Sequence, residues 1–217
     1  MLKPNDKTVK RTKYKHFFFD FDGVIVDSFE TCFRLCNEFA EEPVTREEYR
    51  RMHDGNIYEL KSDDDRIAES VTTPPSEEHF YFKKFIPLMR ELDPFVGVPD
   101  VLRDKAERGS LHVVTSSLTS IVDEFAKRHD IRGTMEGIYG ADVHPSKVKK
   151  MHMIFDKYKT HPSECLFVTD TLGDLREAKK AGVDAVAVDW GFHRVETLKK
   201  GDPIRIVDVP NDLLDFS

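Results

Sequence analysis

Six short runs of apolar, β-forming residues recur along the chain, and this recurrence limits the fold more than any other feature. They lie at Phe17 to Phe19, Leu111 to Thr115, Gly137 to Tyr139, Leu166 to Thr169, Ala185 to Val188 and Ile204 to Val207. Most are separated by helical patterns: Pro99 to Arg108 closed by Gly109, Leu118 to Arg128, the stripe Val148, Met151, Phe155 and Tyr158, and Asp174 to Ala181 stopping at Gly182. Strands that alternate with helices specify a doubly wound parallel α/β sheet covered on both faces, since parallel neighbours need a crossover long enough to hold a helix. Open sheets of this kind bind ligands at the carboxyl ends of their strands, where the strand order reverses.

One interval breaks the alternation, because about ninety residues without a strand pattern separate the first run from the second. Asp27-x-x-Glu30 reads as a capping box opening a helix with Phe29, Phe33, Cys36 and Phe39 or Ala40 on one face. Thr45-x-x-Glu48 reads as a second such start, and Ser76, after Pro74-Pro75, opens a third helix through Phe80, Phe85 and Met89. The expected division is a basic lead-in over residues 1–15, an α/β core over 16–28 and 94–217, and an all-helical insertion over 29–93. The lead-in, with Lys3, Lys7, Lys10, Arg11, Lys13 and Lys15, is expected to be a solvated tail, and Asp63-Asp64-Asp65 a solvated face or loop.

The first run ends in Asp20-Phe21-Asp22-Gly23. Residues two apart in an extended chain point to the same side, so both carboxylates arrive at one sheet edge, and Gly23 allows a sharp turn beside a ligand. Asp20, an anion at neutral pH, can attack phosphorus directly. Asp22 must instead give and take a proton, which needs a raised pKa. A calcium loop would need further oxygen ligands, yet the chain continues with Val24-Ile25-Val26.

The segment FDFDGVIVDS closely resembles the first motif of the haloacid dehalogenase superfamily, in its phosphatase and phosphomutase branch. The resemblance covers Phe17 to about Phe192 and implies a Rossmann-like core with a small helical cap. It assigns Thr115, after Leu111-His112-Val113-Val114, and the Ser116 amide to holding the transferring phosphoryl group. Lys147 takes the position that balances charge between nucleophile and phosphate, although the Gly-Lys-Pro pattern common in relatives is absent. Asp170 and Asp174 in Thr169-Asp170-Thr171-Leu172-Gly173-Asp174 match the magnesium-holding motif, with Thr169 where glycine often stands. The implied magnesium ligands are Asp20, the Asp22 carbonyl, Asp170 and Asp174, the last in an outer shell or through water.

A magnesium ion is also what the charges demand, since a phosphate dianion meets several acids here and a hard cation reverses that sign. The expected activity is magnesium-dependent hydrolysis of a small soluble phosphomonoester through an aspartyl-phosphate. Two rivals are a β-phosphoglucomutase-like transfer to sugar, for which Gly55-Asn56-Ile57-Tyr58-Glu59 lacks the basic residue of such relatives, and an inactive binding module. A dehalogenase is disfavoured by Asp22. His53 and Asn56 are candidates for selectivity, with an ordinary interhelical turn the favoured reading, and His193 is expected to be an exposed loop histidine.

Composition narrows the partners. A net charge of -7 argues against an extended nucleic-acid footprint, and no apolar stretch approaches a membrane span or signal-peptide core. Cys32, Cys36 and Cys165 follow no zinc spacing and are expected as reduced thiols in a cytoplasmic protein whose partner is a small phosphorylated metabolite.

Overall fold

β1 (His16–Phe19) runs through the middle of a parallel sheet with Phe17 and Phe19 buried on one face and Phe18 on the other. The computed structural model describes residues 14–57 and 75–217. The basic residues before Tyr14, the Asp63-Asp64-Asp65 run, and Tyr58, Glu59 and Pro74 lie outside the described residues.

After β1 come α1 (Phe29–Phe39), α2 (Arg46–Arg51), a 3-10 turn at Met52–Asp54, α3 (Phe80–Met89) and α4 (Val98–Arg108). Strands and helices then alternate as β2 (Ser110–Val114), α5 (Thr119–Arg128), β3 (Gly137–Tyr139), α6 (Lys147–Tyr158), β4 (Cys165–Thr169), α7 (Leu172–Ala181), β5 (Asp184–Val188), α8 (Val195–Leu198) and β6 (Arg205–Val207). The strand order is β3-β2-β1-β4-β5-β6, and every pairing is parallel. The sheet is α/β and doubly wound, with the order reversing at β1. The register pairs Phe19 with Val113 and with Val168, so the ends of β1, β2 and β4 lie side by side. A crevice opens there, since the crossovers leave in opposite directions.

Two cores sandwich the sheet. Phe18 packs with Met151, Ile154 and Phe155 of α6 and with Leu175 and Ala178 of α7. Phe17 and Phe19 join Val101, Leu102, Ile121, Val122 and Phe125 of α4 and α5 on the other face. Each fully buried phenylalanine contributes roughly 1.5–3 kcal/mol of transfer free energy. Between the first two strands the chain leaves the core at Val26 and returns at Pro94, and these two residues form an antiparallel bridge. Among the described residues no helix is long and apolar enough to cross a membrane.

Several local expectations differ from the structure. α1 starts at Phe29 without the Asp27 capping box: the N-cap is Ser28, whose hydroxyl donates to Asp22 Oδ1 at 2.8 Å, while Glu30 forms a bidentate pair with Arg46. Glu30, the second member of the expected box, is engaged by Arg46 instead. The Thr45 and Glu48 box does form. The third helix begins at Phe80, after a turn from Ser76 to His79, and its buried face is Phe82, Phe85 and Met89 with Phe80 half exposed. α1 buries Cys32 and Leu35 rather than Phe39, which packs edge-on against Phe80 at the surface. Tyr14, assigned to the lead-in, is buried and donates to Asp184 at 2.9 Å.

Candidate active site

Asp20 sits where β1 ends, held in line by its own amide, which continues the ladder to the Val168 carbonyl. The next turn is tight. Gly23 has φ +76°, and a Cβ there would overlap a carboxylate oxygen of Asp170, so any side chain would displace the acid from the rim. Asp170 follows β4 directly, and Asp174 lies in the first turn of α7, where Thr171 caps the helix by accepting from the Asp174 amide.

One lysine joins these acids. Lys147 Nζ is 2.7 Å from Asp20 Oδ2 and 2.6 Å from Asp174 Oδ2, with all three residues buried. Asp20, Asp170 and Asp174 each offer an oxygen within 4.8 Å of the others. Three carboxylates facing a single ammonium leave excess negative charge in a dry site. Burial, the largest cause, pushes the Asp20 carboxyl well above its ordinary range against the pull of Lys147. Burial likewise pushes Asp170 up to about 7, opposed by the Phe192 amide and reinforced by the Asp174 charge. For Asp174, burial is outweighed by Lys147, Asp20 and Thr169, and the carboxyl falls below its usual value. Burial works against the Lys147 charge too, but Asp174 and Asp20 overcome it and raise the ammonium.

Among the described residues Asp170 Oδ1 is buried without a hydrogen-bond partner, while Oδ2 accepts from the Phe192 amide at 2.7 Å. An orphaned carboxylate oxygen beside two further buried acids is the donor set a hard divalent cation prefers. The residues therefore fit the metal that the sequence implies.

Asp22 stands apart from this cluster. Ser28 and Ser117 donate to its two oxygens at 2.8 and 2.6 Å, which fixes the carboxyl in place. Burial raises its pKa, and the two hydroxyls and Lys147 only partly offset the rise. A carboxyl so balanced can hold a proton and yield it. Thr115 is buried at the end of β2, and its hydroxyl accepts from the Ser117 amide at 3.0 Å. Ser116 forms the turn between them.

Other site residues escaped sequence reasoning. Thr169, noted only as a departure from the usual glycine, donates to Asp174 Oδ2 at 2.6 Å. Glu177 lies on the same helix as Asp174, and its Oε1 accepts from the amides of Lys147 at 2.9 Å and Val148 at 3.3 Å. α7 thus grips Lys147 at both its backbone and its ammonium. Val148 lies in the first turn of α6, where its N–H has no partner within the helix, and Glu177 supplies the acceptor. Lys150 is buried one turn beyond Lys147. The available signal was spacing, since Lys147, Lys150 and Ile154 share one helical face.

His193 corrects the expectation of an exposed loop. It is 2% exposed, its Nδ1 accepts from the Leu172 amide at 2.9 Å, and its Nε2 donates to the Arg50 carbonyl at 2.7 Å. Those partners require the neutral ring, and burial lowers its pKa accordingly. The reason is tertiary: helix α2 closes over the loop after β5, and Arg50 Nε also donates to the Phe192 carbonyl. The turn after α2 meets the site as well. His53 lies edge-on to Phe192 with Nδ1 3.0 Å from the Tyr49 carbonyl, and desolvation pushes its imidazole down to about 4. Asn56 donates to Glu177 at 3.4 Å.

The model of the haloacid dehalogenase-like hydrolases matches residues 17–188. The chain is 24% identical over 204 residues to a phosphoglycolate phosphatase of Synechococcus elongatus, covering 90% of this chain and 93% of that one. Among solved structures it is similar to a haloacid dehalogenase-like hydrolase from Streptococcus pneumoniae, with TM-score 0.73 and 24% identity over 93% of this chain and 97% of that one. It is also similar to CbbY from Rhodobacter sphaeroides in complex with phosphate, with TM-score 0.68 and 21% identity over 92% and 96%. Likeness at such identity speaks to the fold alone. The match that spans the first strand to the fifth is what identifies the chain as a member of the haloacid dehalogenase-like hydrolase family, and as an enzyme of its phosphatase branch.

Proposed function

We propose that the chain is a magnesium-dependent phosphatase that hydrolyses a small soluble phosphomonoester through an aspartyl-phosphate on Asp20. The observation that carries this reading is the Asp20 carboxylate at a strand end, paired with Lys147 and clustered with Asp170 and Asp174. Asp20, Asp170 and Asp174, with the Asp22 carbonyl, would hold the cation, whose charge when bound lets a phosphate dianion approach the acids.

In the forward step an Asp20 oxygen bonds to phosphorus, the ester oxygen leaves with its electron pair, and Asp22 gives that oxygen a proton. Asp22, now a carboxylate, takes a proton from water as the water oxygen attacks phosphorus; phosphate departs and Asp20 is restored. Lys147, the Thr115 hydroxyl and the Ser116 amide hold the phosphoryl oxygens, so the work is electrostatic and positional. The segment inserted between β1 and β2 serves as a cap that excludes stray water, and the docking of its described residues, the Arg50 carbonyl on His193 and Asn56 on Glu177, supports that role. Free thiols at Cys32, Cys36 and Cys165 support a cytoplasmic setting. The names of the relatives make phosphoglycolate the first substrate to try.

Released phosphate, followed for phosphoglycolate and for a generic aryl phosphate across a magnesium titration, tests the reading. Turnover should require the cation, and Asp20→Asn should lower it by on the order of 10^4-fold or more with the melting transition retained. An Asp20→Asn protein that keeps a tenth of parental turnover removes Asp20 as nucleophile. No turnover with any divalent cation favours the binding module.

A further inference from the structure

Lys150 is a wholly buried cation that the proposed reaction leaves unused. Among the described residues no carboxylate lies within ion-pair distance of it; its ammonium donates to the Thr115 carbonyl at 2.5 Å and reaches the Gly140 carbonyl at 3.5 Å. Burial, and next to it the charge of Lys147, push this ammonium down to about 7. A methionine would fill the same space without the cost of desolvating a charge, so packing alone does not account for a lysine here.

Its partner gives the reason. The Thr115 carbonyl and the Ser116 amide belong to one planar trans peptide, and in such a peptide the C=O and N–H point in opposite directions. Whatever holds the carbonyl therefore sets where the amide points. Donation from a charged group to that carbonyl also polarises the peptide and makes its N–H a stronger donor. The amide on the other side of Thr115 is already committed to the Tyr139 carbonyl at 3.1 Å, and the Ser117 amide to the Thr115 hydroxyl.

We propose that Lys150 is a positioning residue of the anion site: seated on the Thr115 carbonyl, it fixes the plane of the Thr115 to Ser116 peptide and strengthens the Ser116 amide as a donor to a phosphoryl oxygen. This rests on the reading of Ser116 as a phosphoryl ligand. Two lysines one turn apart on α6 then divide the task. Lys147 meets the acids in front of the site, and Lys150 acts through the backbone behind it.

The test uses the full chain as parent, Lys150→Met and Lys150→Gln, with inorganic phosphate binding measured by calorimetry and aryl phosphate hydrolysis in parallel. Lys150→Met should weaken phosphate about tenfold and lower kcat/KM by at least as much, with the magnesium concentration for half-activation unchanged. Lys150→Gln, which keeps a neutral donor for the carbonyl, should recover part of the loss. The Ser116 amide proton should shift upfield in both variants as the peptide loses polarisation. A folded Lys150→Met protein with parental phosphate affinity overturns the proposal. Should that variant not fold, parental affinity and an unmoved Ser116 resonance in Lys150→Gln overturn it equally. A parent that binds phosphate but hydrolyses nothing, with weakened binding in the variants, removes the phosphatase and keeps the role of Lys150; a parent that does neither removes both.

Discussion

At the sheet rim the decisive contacts run between ionisable side chains, Asp20 and Asp174 to Lys147, whereas the helical segment meets the same rim largely through backbone carbonyls. His193 donates to the carbonyl of Arg50, Arg176 to that of Asp54, and Gly173 lies against those of His53 and Gly55. The difference is one of exchangeability. Only an acid or a lysine can supply the rim's charges, but any residue can present a carbonyl. The rim therefore depends on side-chain charge, while the docking of the segment depends on shape and on having room.

The sharpest way to break the comparison is Lys147→Met. It strands three buried carboxylates and should cost about 3–5 kcal/mol along with all measurable turnover. Added magnesium should restore part of the lost melting temperature, and a variant as stable as the parent without metal would contradict the charge argument.

Gly173→Ala attacks the other region. A Cβ there would overlap the Gly55 carbonyl, yet alanine favours a helix by about 1 kcal/mol, so the core should melt no earlier. Displacement of the turn should lower kcat/KM by roughly 10- to 100-fold. Released phosphate and a larger radius of gyration by small-angle scattering are the readouts; parental values in both would mean that the contact is idle.

Glu177→Ala probes the hinge between the two modes, since one carboxylate serves the Lys147 amide and Asn56 together. It should cost about 1–3 kcal/mol through unsatisfied amides at the start of α6. Glu177→Gln, which retains an acceptor, should recover most of it in urea unfolding.

The smallest effect is a pH dependence remote from both regions. His112 is fully buried on β2, and burial, then the neighbouring His16, push its pKa down to about 3. Its unfolded form takes up a proton near pH 6.5, so between about 6.5 and 3 the unfolded state binds more protons and stability falls as the pH falls. His112→Phe should flatten that slope in urea midpoints measured from pH 7 to 5, and an unchanged slope would place the acid sensitivity elsewhere.

The legibility of the site follows the same division. Asp20, Asp22 and Asp170 could be named because charged residues at the ends of apolar runs stand out and strand ends converge by topology, whereas Lys147, at the start of a helix, was named only through the family resemblance. Thr169 was visible only as a misfit until its hydroxyl reached Asp174. Two capping boxes of equal promise, at Asp27 and Thr45, had different outcomes because the helix starts from Ser28, whose hydroxyl serves Asp22, and Glu30 pairs with Arg46 of the next helix. His193 looked like a loop residue, and only the closure of α2 over it made it a buried neutral link.

By itself the order of residues determined the alternation of strands and helices, the burial of their apolar faces and the charge carried to each strand end, because these depend on local periodicity and residue type. The tertiary structure alone decided which carbonyl receives Lys150, which carboxylate holds the start of α6, and where the helical segment rests. Those contacts join groups far apart in sequence, and backbone partners leave no mark in side-chain identity.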